Sequence, residues 1–572
     1  MSLSDLLKAS GRYYYLHWFL LLAYTIVIFS INIGSDGIYS AQEGRAAIVA
    51  RNMIQSGDIF HVVIKGEPET EKPIMCYWFY AIAGKIFGVN EFSVRLPSIL
   101  SAILCVMMAA WLGNRIYGRV TGLLSGYMLT TMIGFVNLGR IARIDIVLCA
   151  FFTAAMIFLY TGYFEKRKAN WHLYIFYILL ALAVLVKGPV AVVMAGLTIL
   201  ALLIKERNFK AIWELKPVSG LIIGLAIDAP WYVYESIRTN GSFAFDFLWN
   251  QNVDRFLGIN TEYSGGVRKT FFYYFPKLFA GALPWSLLVP FCLLAFRKKF
   301  NKLRLETYFL VFWVMAVFVF FSLSAIKRGD YILPLYPALA ILIARYAALV
   351  DEIKPVLSGK WKIVWFALLG LVALSFVLLE TGAVNYFGQL CIQGRIPHIK
   401  DRDGMGIVQT ADLLKQNLAL LMIGVTVFFW LLYLIGRKLG QGRVLPAFAS
   451  LMTILIIWFS IFYIWIDPAT NIYKTTKYFC QQAQKHLPPD AVVAYGGSWY
   501  DEAVFFINRD YERCKMNKIY DAETRKFKFK FIICPAERLK ELPEDIKARM
   551  KKLEETIPGH QYALALYQEQ NP

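Results

Sequence analysis

Charge is scarce in this chain. Asp, Glu, Lys and Arg make up 17% of its 572 residues, where an ordinary globular domain carries about 25%. Acids are scarcer than bases, 40 against 60, which leaves a formal net charge of +20. The eight cysteines are scattered without metal-like spacing, so neither a zinc site nor a disulfide scaffold is implied. No sequence repeat is evident, which weighs against the repeat-built architecture of many transporters. No cleavable signal peptide is expected, because the first apolar run is long and leads straight into the chain.

Apolar residues fill the space that charge leaves. They account for 58% of the chain, with a mean hydropathy of +0.49. Many separate runs of about twenty apolar residues indicate a polytopic, all-α membrane protein. Thirteen spanning helices are expected, near 16–33, 93–112, 120–136, 144–163, 172–187, 189–204, 217–236, 272–296, 307–324, 332–350, 361–382, 419–436 and 446–466. With the N-terminus inside, every second loop is basic: Arg115 and Arg119, then Lys166 to Lys168, then Lys205 to Lys216, and on to Lys298, Lys354 and Arg437. That alternation is the positive-inside pattern, so the positive charge is assigned to cytoplasmic loops and anionic membrane lipid, with no nucleic-acid partner.

Residues 1–466 thus read as a transmembrane domain with long outer loops at 34–92, 237–271 and 383–418. Residues 467–572 are mostly polar and read as a small α/β domain on the same outer side. Strand-like runs fall at 491–495, 503–507 and 529–533, and the charged stretch 536–555 reads as helix. Cys480, Cys514 and Cys534 share the oxidising side, where a disulfide is possible but its pairing cannot be derived. The expected role of this domain is packing over the membrane part.

The first outer loop is the most informative stretch. Ser40 followed by Glu43 is a capping-box pattern, Ala46, Val49, Ala50, Met53 and Ile54 recur at helical spacing, and Gly57 suits a C-terminal cap. Pro73 fits the first turn of a second helix running to Gly88, too short to span comfortably. Both helices are expected to lie along the membrane face, with Arg45, Glu71 and Lys72 at the interface. Arg45, Lys72, Lys187, Arg255 and Lys327 all fall on the outer side, against the topological bias. Fixed cations at that depth suit a reaction that leaves charge on a departing phosphate. Ordinary snorkelling at a helix end is the alternative for any one of them.

A second cluster, Arg140, Arg143 and Asp145, opens the fourth helix, where an Arg143–Asp145 pairing would be the structural explanation. A third is the charged stretch from Ser324 to Pro334, with Lys327 and Tyr331, the latter a hydrogen-bond donor to phosphate or an interfacial aromatic. Asn250 to Phe256, with Asp254 and Arg255, is the least specific.

Taken in order, Gln42-Glu43-Gly44-Arg45, Glu71-Lys72-Pro73, Arg95-Leu96-Pro97, Ala142-Arg143-Ile144-Asp145, Lys187-Gly188 and Lys327 with Tyr331-Ile332-Leu333-Pro334 resemble the lipid A 4-amino-4-deoxy-L-arabinose transferase family. These are integral-membrane glycosyltransferases of the GT-C type, related to the protein O-mannosyltransferases. The resemblance implies a polyprenyl-phosphate sugar donor of undecaprenyl type, lipid A or another periplasmic glycan or lipid as acceptor, and a site on the periplasmic face of a bacterial inner membrane. It implies Lys72 and Arg255 at the donor phosphate with Arg45 and Tyr331 nearby, and Glu71 and Asp145 facing the sugar in an inverting displacement without a nucleotide sugar. Glu43, Glu71 and Asp145 are therefore the candidate catalytic carboxylates. Gln42, Arg45, Lys72, Arg143, Lys187, Arg255, Lys327 and Tyr331 are the candidate substrate-binding residues. No cofactor is required by this chemistry; a divalent cation is possible, with no ligand spacing to assign it.

Two positions depart from the family pattern. The first acid of the loop's pair is Gln42, and Glu69-Thr70 precede Glu71 where the family tends to have aromatics. Three other readings remain: transfer to protein hydroxyls, transport or flipping of a lipid-linked sugar, and a binding or sensor protein on an inactive transferase scaffold.

Overall fold

A computed structural model describes the chain except at residues 1–11, 36, 39, 65–66, 166–169, 260–267, 291, 293–302, 354–382, 394–406, 409–410, 413–429, 431–432, 435–436, 439–443, 498–499, 522, 558–559, 561 and 571–572. The expected span 361–382 lies outside the described residues, as do nearly all of 419–436, most of the loop 383–418, and Lys298 and Lys354 of the basic loops.

The apolar runs fold as helices whose ends sit at glycine, proline and charge. Helix α1 is Arg12–Ser30 and α2 is Ala41–Ser56. A two-residue hairpin, β1 (Val63–Ile64) with β2 (Glu67–Pro68), leads to α3, Met75–Phe87. Then come α4 (Glu91–Tyr117), α5 (Arg119–Thr130), α6 (Ile133–Gly139), α7 (Ile144–Tyr163), α8 (Trp171–Lys187), α9 (Val190–Glu206) and α10 (Pro217–Arg238). A π-helix at Phe245–Asp254 follows, then α11 (Tyr274–Gly281), α12 (Leu305–Leu323), α13 (Tyr336–Ile353) and α14 (Val444–Ile461).

By length and composition, α4, α7 and α12 are able to cross a membrane, and α5 with α6, bent by 65°, makes a fourth candidate when taken as one broken span. Among the described residues this falls short of the thirteen spans expected. The expected span 120–136 breaks at Thr131-Met132, and 272–296 breaks near Pro284, whose ring removes a backbone donor, into α11 and a 3-10 turn at Trp285–Leu288. The chain therefore carries short and broken elements where hydropathy alone suggests continuous helices.

The core of the membrane part is built where α4 packs on α5 and α7, and α8 on α7 and α10. Phe152 meets Trp313 edge to face, and Trp313 donates through Nε1 to the Pro334 carbonyl, so the polar atom of a fully buried indole is satisfied.

The C-terminal domain is a five-stranded sheet in the order β4-β3-β5-β7-β6. Its strands are β3 (Val492–Gly496), β4 (Asp510–Cys514), β5 (Phe531–Pro535), β6 (Met550–Glu555) and β7 (Leu564–Glu569). β3 runs parallel to β4 and β5, whereas β7 is antiparallel to both β5 and β6. Helix α15 (Lys477–Gln484) precedes the sheet, and α16 (Asp501–Ile507) is the crossover from β3 to β4.

Two sequence expectations fail here. The run 503–507 is helix α16, because a short continuous apolar run fits a buried helix as well as a strand. The charged stretch 536–555 is not one helix: Pro543 divides it, and its end is the edge strand β6. Lys551 and Lys552 are exposed there, and charge on an edge strand guards against unwanted pairing. Cys480, Cys514 and Cys534 are unbridged.

Candidate active site

Helix α2 places the first group of side chains. Ser40 caps it by accepting from the Glu43 backbone N–H at 3.3 Å, and it closes at Gly57, as the sequence indicates. The reciprocal half of the capping box is not made. The Glu43 carboxylate turns inward, fully buried, and accepts from Arg95 Nε at 2.9 Å and from the Ala142 backbone N–H at 3.0 Å. Arg95, itself 1% exposed, also donates to the carbonyls of Ile33 and Gly37 at 2.9 Å each. Glu43 thus ties α2 to α4 and to the segment before α7, behind the wall of the site. Its neighbour Gln42 faces the cavity and accepts from Arg143 Nη1.

One turn on, Arg45 Nη1 donates to Glu71 Oε2 at 2.8 Å and to Glu69 Oε2 at 3.3 Å. Glu69 also accepts the Glu71 backbone N–H at 2.7 Å, which pins the strand-to-helix turn carrying Glu71 and Lys72. Burial pushes the Glu69 carboxyl up, only partly offset by Arg45. Burial acts in the same sense on Glu71, but Arg45 and Lys72 overcome it and hold that carboxyl below its usual range. Desolvation brings the Lys72 ammonium down to about 8; Glu71 opposes the fall and Arg255 adds to it.

The antiparallel pair α7 and α8 places the next two residues. Asp145 lies in the first turn of α7, where the helix dipole favours an acid, and Lys187 in the last turn of α8, where it favours a base. They form an ion pair. Gly188 ends α8 with φ +96°, a conformation in which a side chain is strained, and an added Cβ would sit 2.8 Å from Phe247 Cζ. Lys187 Nζ lies 4.1 Å from the centre of the Tyr331 ring. The sequence's structural explanation, Arg143 with Asp145, is not what forms: Arg143 pairs with Asp330 at 3.6 Å. Arg140 stacks on Tyr463 and donates to the Ile28 and Ile31 carbonyls, a packing role.

Arg255 follows the π-helix and donates to Gln251 Oε1 at 2.7 Å. Lys327 is not in the cavity wall. It is buried, donating to the carbonyls of Lys269 (3.1 Å) and Ser324, and so holds the loop that presents Arg328, Asp330 and Tyr331.

The cavity these elements enclose measures about 410 Å³, within the range of small-molecule sites. Of the eleven candidates, Gln42, Arg45, Glu71, Lys72, Asp145, Lys187, Arg255 and Tyr331 line it; Glu43, Arg143 and Lys327 stand behind. Arg328, Asp330, Tyr77, Tyr80, Gln251 and Asn252 also line it and were not singled out from sequence. Arg328 and Asp330 lie within the charged stretch beginning at Ser324, but an irregular loop has no periodicity to say which side chains turn inward. Five cations and three carboxylates therefore face one another, beside an apolar wall that includes Val193, Leu257, Phe320 and Phe321. The excess of positive charge suits an anion, the carboxylates suit hydroxyl or ammonium groups, and the apolar wall suits a hydrocarbon tail. No group of three or more His, Cys, Asp or Glu able to hold a metal ion occurs among the described residues.

The profile of the dolichyl-phosphate-mannose-protein mannosyltransferase family matches residues 71–234. The undecaprenyl phosphate-alpha-4-amino-4-deoxy-L-arabinose arabinosyl transferase of Enterobacter sp. (strain 638) is 30% identical over 335 residues, 57% of this chain and 58% of that one. The protein of the same name from Yersinia enterocolitica is 30% identical over 351 residues, 60% of each chain. The aligned region thus spans about three-fifths of the length of these relatives. The crystal structure of ArnT from Cupriavidus metallidurans bound to undecaprenyl phosphate superposes with a TM-score of 0.76 at 18% identity, covering 99% of this chain and 100% of that one. The resemblance read from the motifs is borne out, and the fold is that of this crystal structure, mostly helical with a small C-terminal sheet domain.

Proposed function

We propose that this chain is a glycosyltransferase that moves a sugar of the aminoarabinose type from undecaprenyl phosphate to lipid A or another periplasmic acceptor, on the outer face of a bacterial inner membrane. The observation that carries the reading is the cavity, where five cations and three carboxylates meet beside an apolar wall. The names of the aligned relatives supply the donor and sugar class. In this reading the acceptor oxygen attacks the anomeric carbon, the bond from that carbon to the phosphate oxygen breaks, and the electron pair leaves with the phosphate. Lys72 and Arg255 hold the developing phosphate charge, with Lys187 and Arg328 also facing the cavity, because fixed cations in a water-poor site stabilise charge where it appears. Glu71 and Asp145 orient the sugar. The apolar wall receives the first units of the polyprenyl tail.

The acceptor follows from Gln42. An ionised phosphate on lipid A needs no base, whereas a hydroxyl acceptor does, and a positioned base contributes about 100- to 10,000-fold. A glutamine at this position favours the phosphate. Gln42→Asp is therefore expected to leave transfer to lipid A within about tenfold, because no proton has to move. Asp145→Asn costs more, since it leaves Lys187 without its carboxylate partner. The experiment is transfer by both variants to purified lipid A and, in parallel, to a hydroxyl-only acceptor or an unstructured Ser/Thr peptide. Transfer to the hydroxyl or peptide with none to lipid A overturns the acceptor assignment and favours protein glycosylation.

Lys72 sets a pH limit. Its ammonium titrates near 8 in the free enzyme, and only the charged form holds phosphate. kcat/KM for the donor is expected to fall above about pH 8, while the limb in kcat lies higher because bound phosphate favours the charged form. Lys72→Arg removes that limb. Initial rates across the range decide it, and a flat kcat/KM to about pH 10 contradicts the role.

A further inference from the structure

We infer that the C-terminal domain is a working part of the site: Asp501 holds Arg45 from behind, and Arg45 holds the Glu71 carboxylate in the cavity. Asp501 is thus a positioning residue. The inference rests on the transferase reading and extends it to a domain that the sequence assigns only to packing.

The contact is built for close approach. Gly44 of α2 lies against the start of α16, where an added Cβ would sit 2.6 Å from both the Asp501 carbonyl carbon and the Glu502 nitrogen. Any side chain at position 44 pushes the two helices apart. The gap left by the missing side chain brings the fully buried Asp501 carboxylate to 3.8 Å from Arg45 Nε, while Arg45 Nη1 on the other edge of the same guanidinium engages Glu71. A planar guanidinium hydrogen-bonded through Nη1 and held at Nε by an ionic contact, 3.8 Å being too long for a hydrogen bond, is biased to one orientation, which a lysine would not reproduce. Glu69 occupies a further position on Nη1. Arg45 is therefore shared among three carboxylates and acts as a strut, leaving the phosphate to Lys72 and Arg255.

Other contacts hold the domain in this register. Lys477 Nζ of α15 reaches Glu91 Oε1 of α4 at 2.6 Å. Arg51, two turns along α2 from Gly44, donates to the Phe505 carbonyl at 3.2 Å, and its guanidinium lies 5.5 Å from the centre of the Phe505 ring. Glu502 accepts from Tyr562 Oη at 2.9 Å, tying α16 to the turn before β7. The helix bearing Asp501 is thus fixed both to its own domain and to α2.

The test uses the full-length protein in detergent. Asp501→Asn keeps the shape of the side chain and removes its charge. The expected result is a fall in kcat of about tenfold to a hundredfold, from a misplaced Glu71 carboxylate, with donor KM within about threefold. Amide protection of residues 501–507 in hydrogen exchange stays as in wild type, showing the domain still docked. Asp501→Glu restores part of the rate. An unchanged kcat, or a loss that appears only together with lost protection of α16, overturns the inference. If the wild-type protein transfers no sugar at all, the parent reading fails, and the strut is then read from thermal unfolding alone. Asp501→Asn combined with Arg45→Gln is expected to lower Tm no more than the larger single effect, because both remove one interaction. Additive shifts overturn it.

Discussion

Lys72→Ala should nearly abolish sugar transfer while the protein remains folded in the membrane. Lys72 borders the cavity and donates to the Glu71 carbonyl at 3.1 Å, with Arg255 near enough to depress its ammonium further. Removing one preorganised donor from a water-poor site costs roughly 3 kcal/mol or more, on the order of a hundredfold in rate. Stability should change little or rise slightly, because the wild-type ammonium sits desolvated beside other cations until the donor's phosphate arrives. Turnover by the purified variant, read against its unfolding temperature, checks both halves. A variant that turns over at near-normal rate would make Lys72 a snorkelling side chain and remove the phosphate site from the account.

Glu43→Ala should have the opposite signature, a loss of stability ahead of any loss of chemistry. The substitution leaves Arg95, 1% exposed, without its carboxylate, and strips the acceptor from the Ala142 N–H. Breaking a buried ion pair by deleting one partner costs about 3–5 kcal/mol. Glu43→Gln keeps the shape and both acceptor contacts on one oxygen, so it should lose less. Thermal unfolding and the yield of monodisperse protein measure this directly. If Glu43→Ala instead unfolds like wild type and loses only rate, Glu43 is a reacting group, and the cavity is drawn too narrowly.

These two residues also show what the sequence could convey. Glu43 and Lys72 both belong to ordered motifs of the first outer loop, but motif membership does not say which side chain enters the cavity. The helix period around Ala46, Val49 and Met53 fixes the buried face of α2. It does not reveal that Arg95, some fifty positions on, claims Glu43. α7 spans Ile144–Tyr163, the same limits the apolar run gives, because charge at Asp145 and the end of the apolar run mark both ends. Local chemistry is legible in this way. Partners distant in the chain are not: the neighbouring Asp145 offers Arg143 a structural partner in the sequence, yet Arg143 meets Asp330. The loop 324–332 illustrates the same limit: its charge marks it as a candidate, yet Lys327 turns into the protein while Arg328 and Asp330 turn to the cavity. In the C-terminal domain, five short strands with mixed directions rest on pairings across up to 38 residues, as between Val493 and Phe531, so local composition alone does not reveal helix α16 or edge strand β6.

The central claim is that this cavity catalyses transfer from a lipid phosphate, and one measurement meets it directly. Purified protein is incubated with undecaprenyl-phosphate aminoarabinose and lipid A in detergent, where transport across a membrane has no meaning, and the lipids are analysed by mass spectrometry. The account predicts lipid A heavier by one aminoarabinose residue on a phosphate, with undecaprenyl phosphate released in equal amount. A donor recovered intact beside unmodified lipid A, from protein shown to be folded, would contradict it.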